Sequence, residues 1–350
     1  MRALTVRPGH SGSLEVREVE EPKPAPGELL VRGIAVGVCG TDREIAAGEY
    51  GRAPADRDRL VLGHESLGRV EEAPDGSAFA AGDLVAGVVR RPDPEPCGAC
   101  AHGEFDMCRN GRYRERGIRE LDGYGTGLWC VEEGYAVAVD PELGLAGVLL
   151  EPAGVVAKAW EQIERVGARA WFEPRRVLVT GAGPIGLLAA LLGNQRGLEV
   201  HVLDRVTDGP KPALVRALGA AYHSGAVDDV LSAVRPDVVV EATGAGQVVF
   251  AAMHGTAPYG VVCLTGVSPA GRRLTVDAGT LNREIVLEND VVVGSVSANG
   301  RHFRQAADAL ARADTDWLHR LITRRLPLDR AAEAFEQRPD DVKVVLTLEE

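Results

Sequence analysis

Cys39, the adjacent pair His64-Glu65, and Glu151 precede the run Gly181-Ala182-Gly183-Pro184-Ile185-Gly186. A thiol, an imidazole and a carboxylate are the donor types of an open catalytic zinc site that keeps one position for water or substrate. A G-x-G-x-x-G turn offers backbone N–H groups to a pyrophosphate. Together they suggest hydride transfer between a polarised hydroxyl and a nicotinamide dinucleotide. Taken singly, Cys39 reads as a small buried hydrophobe, His64 as a core histidine and the glycine run as a close-packed turn. The combination in one chain carries the chemistry.

The glycine run follows the apolar segment 176–180 and opens the apolar segment 187–192, so strand, tight turn and helix are expected in that order. Gly181 permits the turn, Gly183 the close approach to phosphate and Gly186 the packing of the helix, with Pro184 and Ile185 between them. Asp204 ends a second strand, 199–203, where a carboxylate can bond both ribose hydroxyls and repel a 2′-phosphate, which favours NAD. Arg205 follows and can stack on adenine or pair with a phosphate, which leaves NADP possible.

Cys97, Cys100 and Cys108 form a second cluster with C-x2-C-x7-C spacing. Six cysteines in 350 residues are too few for a disulfide scaffold, and clustered thiols in a reducing compartment read as metal ligands. Cys130 and Cys263 read as packing residues.

The elements that must position these groups follow from the apolar pattern. Up to about residue 140, short apolar runs at 1–6, 29–38, 60–70 and 83–89 are broken by Gly and Pro, which predicts a β-rich, barrel-like domain. Helical spacing takes over at 151–166. The runs 176–180, 199–203, 237–240, 260–264 and 291–293 are short buried strands of a parallel sheet, so the fold class is α/β with a doubly wound second domain. A helix at 302–313, a stretch at 326–337 and a strand at 342–348 are expected to fold back on the first domain. The expected division is 1–173 completed by 298–350, and 174–297, a pair of domains that would form a cleft.

A formal net charge of −12 disfavours nucleic acid and anionic lipid as partners. No continuous apolar run approaches the roughly 20 residues of a membrane span, and a cytoplasmic protein is expected.

On these motifs the chain resembles the zinc-dependent medium-chain dehydrogenases, and within them the glucose dehydrogenase branch known from archaea. The resemblance covers essentially the whole length. It rests on Cys39-Gly40-Thr41-Asp42-Arg43-Glu44-Ile45, Val61-Leu62-Gly63-His64-Glu65, Arg90-Arg91 ahead of the thiol cluster, Gly117-Ile118 before Asp122-Gly123-Tyr124, and Glu151-Pro152. It implies a GroES-like catalytic domain and a Rossmann domain, with Cys39 and His64 as constant zinc ligands. Glu65 and Glu151 would complete the shell or alternate with water. Thr41 would bond the reacting oxygen and pass its proton outward, with Glu44 standing where related polyol dehydrogenases place a histidine and Glu65 as an alternative base. The family's structural zinc lobe has four cysteines. Cys97, Cys100 and Cys108 match the last three, and Asp93, Glu95 or His102 are candidates for the fourth ligand. Homodimers or homotetramers are common in the family.

Glu115 matches a retained sugar-binding position, and Glu151, Asn299 and His302 are further candidates for substrate contact. Two positions are altered: Val89 and Val155 replace an asparagine and an aspartate, which implies a less hydroxylated or rearranged substrate. The primary expectation is oxidation of a secondary or anomeric hydroxyl of a sugar or polyol by NAD(P). The alternatives are a dehydrogenase for a less polar secondary alcohol or cyclitol, and a dinucleotide-binding structural or sensing protein. The set Cys39, Thr41, His64 and Glu151 weighs against the last, since binding NAD needs none of them.

Overall fold

The computed structural model describes residues 1–269, 271 and 273–348. The chain divides into two compact units, Met1–Gly154 with Ser297–Glu350, and Val155–Val296.

The first unit is organised on the long strand Glu28–Val38. Its first half pairs with Leu128–Glu132 and its second half with Lys343–Thr347, while Glu65–Glu72 runs along its other edge, all antiparallel. Leu84–Gly87 and Ala136–Ala138 extend the sheet on one side, and Ile322–Pro327 on the other. The expected return of the tail is therefore a strand inserted beside the strand that leads to Cys39. Leu29, Val31, Val70, Val85, Tyr124 and Trp129 form the buried core of this sheet.

One element differs from expectation here. The run 60–70 breaks into Leu60–Val61, which pairs with Arg2–Val6, and Glu65–Glu72, which joins the larger sheet. The break falls at Gly63, whose φ is +95°, and leaves His64 at the turn rather than within a strand.

The second unit is a six-stranded parallel sheet. Its spatial order is Ala221–His223, Glu199–Leu203, Arg176–Thr180, Val238–Glu241, Val261–Leu264, Val291–Gly294, the 3-2-1-4-5-6 order of a doubly wound fold. The near-continuous Val and Leu content of these strands suits burial on both faces by helices.

The division of the chain falls inside the helix Leu150–Gly167, not after residue 173. The cause lies in the helix: beyond its first turn Trp160 is buried, donates to Ala189 O and covers Gly193, so this part belongs to the doubly wound unit. The helical stretch Pro141–Gly167 is long and apolar enough to cross a membrane by length and composition, although Glu142, Glu151 and Lys158 interrupt its apolar run. Its most apolar window is 78% buried within the fold, as in a core helix.

Candidate active site

Cys39 follows the strand Glu28–Val38 and caps the helix Gly40–Ala46. Its backbone N–H donates to Asp42 Oδ2 at 2.9 Å, so the first turn of the helix fixes the direction of the thiol. Asp42 Oδ1 is 3.3 Å from His64 Nδ1, and His64 Nε2 is 3.1 Å from Cys39 Sγ. A carboxylate behind a ligand histidine sets its ring orientation and tautomer. Burial opposes charge on His64, yet Asp42 and Cys39 outweigh it and raise its pKa well above the ordinary value. A metal entering here would displace that proton, so its affinity falls as the solution is acidified.

Glu65 opens the strand Glu65–Glu72 opposite Gly37, and Lys343 opens Lys343–Thr347 on the far side of the same central strand. The carboxylate crosses over Gly37 to reach the ammonium: Lys343 Nζ is 2.6 Å from both Glu65 oxygens. A Cβ at position 37 would sit inside the Glu65 carboxylate, so only glycine admits this crossing. Both partners are buried. For Lys343, burial opposes the charge and Glu65, Cys39 and Glu151 overcome it, holding its pKa above the ordinary value. Glu151, in the first turn of the helix Leu150–Gly167, is buried as well. Burial pushes its carboxyl up to about 7, moderated by His64 and reinforced by Glu65.

One ligand atom each from Cys39, His64 and Glu65 lies within 4.8 Å of the others. A tetrahedral zinc with bonds of about 2.3 Å to sulfur and 2.0 Å to nitrogen spaces such atoms by about 3.5 Å, so the trio fits the ion after small adjustments. Charge points the same way. With zinc bound, the Cys39 thiolate, Asp42 and Glu65 carry three negative charges against the one ammonium of Lys343, Glu151 being pushed up to about 7, and a dication that displaces the His64 proton brings the sum to zero. Glu151 lies outside the trio.

Thr41 is half-buried in the first turn beside Cys39, and Glu44 is exposed. Two expected substrate contacts have other employment. Glu115 Oε1 accepts from Arg90 Nε and Nη2 at 3.0 and 2.9 Å in a buried ion pair. Asn299 Oδ1 caps the helix Gly300–Ala311 by accepting from Arg301 N and His302 N, and its Nδ2 donates to Asp106 Oδ1 at 2.7 Å. His302 is fully buried, with Nδ1 accepting from Asn299 N. Polar residue types mark both roles equally, and the caps and partners that separate them are not visible in sequence. Val89 is buried and Val155 half-buried.

In the second unit Gly181 turns at φ +94° and Gly183 caps the helix Pro184–Gln195, with Pro184 and Ile185 in its first turn. A Cβ on Gly186 would strike the carbonyl oxygen of Gly181, which explains the third glycine. The loop opens on a cavity of about 1360 Å³ lined by residues that include Gly183, Asp204, Arg205, Lys211 and Thr243. Asp204 is less free than expected: Oδ2 accepts from Ala182 N at 2.7 Å and lies 3.6 Å from Lys211 Nζ, and Oδ1 accepts from Val206 N. It pins the glycine loop besides facing the cavity.

Glu241, which sequence reasoning passed over, does similar work at the end of its strand. Fully buried, it accepts from Thr180 Oγ1, from the amide and hydroxyl of Thr243, and from Gly244 N. Thus one carboxylate ties the strand before the glycine loop to the Thr243-Gly244 side of the same cavity. A lone acid closing an otherwise apolar strand, as in Val238-Val239-Val240-Glu241, was the available signal.

Cys97, Cys100 and Cys108 also bring their sulfur atoms within 4.8 Å of one another, and Cys97 Sγ is 3.7 Å from Cys100 Sγ. Cys130 and Cys263 are buried away from both groups.

A sheet unit with a Cys, His and Glu trio and a doubly wound unit with a phosphate-binding loop define a zinc-dependent medium-chain dehydrogenase. Residues 25–141 match the alcohol dehydrogenase GroES-like domain, and residues 144–348 match the glucose dehydrogenase C-terminus. Glucose 1-dehydrogenases of Methanocella arvoryzae and Thermoproteus tenax are 40% and 42% identical, the first over 99% and the second over 100% of both chains. The structure of Haloferax mediterranei glucose dehydrogenase in complex with NADP, Zn and gluconolactone superposes with a TM-score of 0.92, at 32% identity and full coverage of both chains. The chain belongs to the glucose dehydrogenase branch of the zinc-dependent medium-chain family.

Proposed function

We propose that this enzyme oxidises the anomeric hydroxyl of glucose or a close epimer to the lactone, passing the hydride to NAD(P) and the proton to solvent. The chain is a zinc-dependent sugar dehydrogenase, and the observation that carries this reading is the convergence of Cys39, His64 and Glu65 in a chain whose other unit presents the glycine loop. Zinc, when bound, supplies Lewis-acid chemistry to the hydroxyl being oxidised. Cys39 and His64 hold the ion, with Glu65 or Glu151 as the third protein ligand and Asp42 orienting His64. Thr41 is the proposed hydroxyl for the reacting oxygen and the first carrier of its proton. Glu65, held by Lys343, and Glu151, with its raised pKa, are the carboxylates available to that proton.

Gly181, Gly183 and Gly186 are the proposed pyrophosphate cradle, with Asp204 on the adenine-side ribose. Asp204 gives part of its charge to Ala182 N and Lys211, and Arg205 stands next to it, which supports use of NADP beside NAD. Cys97, Cys100 and Cys108 are proposed to hold a second zinc. We further propose a cytoplasmic homodimer or homotetramer without nucleic acid or membrane partners. The acidic net charge supports the last point, and the half-exposed edge strand Val291–Gly294 with exposed Val286 and Leu287 supports self-association, which light scattering would test.

The test is reduction of NAD and NADP by the zinc-loaded enzyme across aldoses, cyclitols and simple secondary alcohols. Turnover of glucose or an epimer is expected. Turnover confined to a cyclitol or an apolar alcohol would replace this reading with the second one, which Val89 and Val155 favour.

A further inference from the structure

The thiol lobe differs from a four-ligand site in a way the structure makes specific. Its three sulfurs are arranged for a tetrahedral ion: thiolates bound at about 2.3 Å stand about 3.8 Å apart, and Cys97 and Cys100 are at 3.7 Å before any ion enters. One backbone amide is aimed at these sulfurs: Arg109 N donates to Cys97 Sγ at 3.3 Å.

The fourth corner is another matter. In the C-x2-C register the next ligand position upstream of Cys97 is Pro94, which has no ligand atom. Asp93, beside it, is buried with both oxygens engaged. Oδ1 accepts from Glu95 N at 2.9 Å, and Oδ2 accepts from Asn110 Nδ2 at 2.9 Å and from Arg112 Nε at 3.2 Å. Asn110 also donates to Glu95 O, and Arg112 to the Glu95 carboxylate at 2.8 Å. Asp93, Glu95, Asn110 and Arg112 thus form a clasp that joins the chain entering the lobe to the chain leaving it. His102 lies with Nδ1 2.7 Å from Gly98 O on its own helix. Among the described residues, none of Asp93, Glu95 and His102 joins the three sulfurs within 4.8 Å. Turning Asp93 onto the ion would cost three hydrogen bonds and leave a buried carboxylate's donors unmet.

Resting on the reading that this lobe holds zinc, we infer that the ion is bound by three thiolates of this chain and by one exchangeable ligand that is not protein, a water or a small anion or thiolate, while Asp93 closes the lobe mechanically. The consequence is a second metal with an open position. It is a site where small soft donors bind and where chelators gain access.

The test uses full-length Cys39→Ser protein loaded with cobalt(II), in which thiolate-to-cobalt bands arise from the lobe. Those bands are expected to have three-thiolate intensity, to shift when azide or 2-mercaptoethanol is titrated in, and to stay unchanged in Asp93→Asn. A spectrum blind to both additives, or one altered by Asp93→Asn, overturns the inference while leaving the metal in place. Absence of thiolate-to-cobalt bands overturns the zinc reading itself. Should Asp93→Asn not fold, the additive titration of the parent decides alone.

Discussion

Lys343 and Glu65 bury opposite charges at 2.6 Å, and removing one of a buried pair leaves the other uncompensated. Lys343→Met is expected to destabilise the metal-free protein by about 3 kcal/mol in denaturant unfolding. Added zinc should recover part of this loss, because a dication faces the same carboxylate. An equal deficit with and without zinc would mean that Glu65 does not sense the metal. Cys39→Ser is expected to abolish turnover and lower zinc content while NAD(P)H fluorescence titrates as in the parent, and retained turnover would refute the assignment. At this scale the sequence showed Cys39, His64 and the glycines because their types are rare and their spacing is local. It did not show Lys343, separated from Glu65 by 278 positions, since a lysine before an apolar strand reads as a solvated end. Asp42 was in view within the motif, but its role behind His64 needs the helix turn to be seen. Glu115 and Asn299 look like ligand contacts by type, and only their neighbours Arg90 and Asp106 show how they are engaged.

Elements set the next constraints. In Gly186→Ala the new Cβ meets the Gly181 backbone, which cannot swing aside as a side chain can, so the loop must shift. Affinity for NAD and NADP should fall together by about tenfold or more, equivalent to 1.4 kcal/mol, with zinc content unchanged; unaltered dissociation constants would show that the helix moves instead. Asp204→Ala should also weaken both cofactors, NAD more than NADP, because the Ala182 amide loses its acceptor. Loss confined to NAD would mean that loop anchoring contributes nothing. The ion pair of Arg91 with Glu132, at 2.6 Å, carries a pH dependence. Burial opposes the Glu132 charge, yet Arg91 holds its pKa down from 4.5 to about 2. A depressed carboxyl adds stability above the unfolded value and loses it as pH falls. The advantage of the parent over Glu132→Gln should thus shrink as pH drops from 4.5 toward 2, and a constant gap in thermal melts would exclude the linkage. Five of the six strands of the parallel sheet were legible within a residue or two because apolar runs bounded by glycine are local signals, whereas the three-residue edge strand Ala221–His223, which contains no apolar run, was not. The split of 60–70 was not, since both halves are apolar and their different partners lie elsewhere in the chain.

For the whole molecule, the order of two units and the return of the tail were readable, whereas the division within Leu150–Gly167 was not, because one continuous helix serves both. Stripping zinc with a chelator should therefore lower the melting of the first unit and leave nucleotide titration of the second unchanged, and loss of nucleotide binding would show that the units depend on one another. The strand Lys343–Thr347 adds a consequence for how the enzyme is made. Residues 155–296 are contiguous, so the doubly wound unit can fold as soon as it leaves the ribosome. The first unit cannot: Glu28–Val38 waits for its neighbour, and Glu65 waits for Lys343, through 278 further positions. At about 5–20 residues per second this is a delay of tens of seconds. The carboxylate proposed to flank the metal is thus left unclasped during most of translation, and the proposed catalytic centre is the last part of the protein to mature.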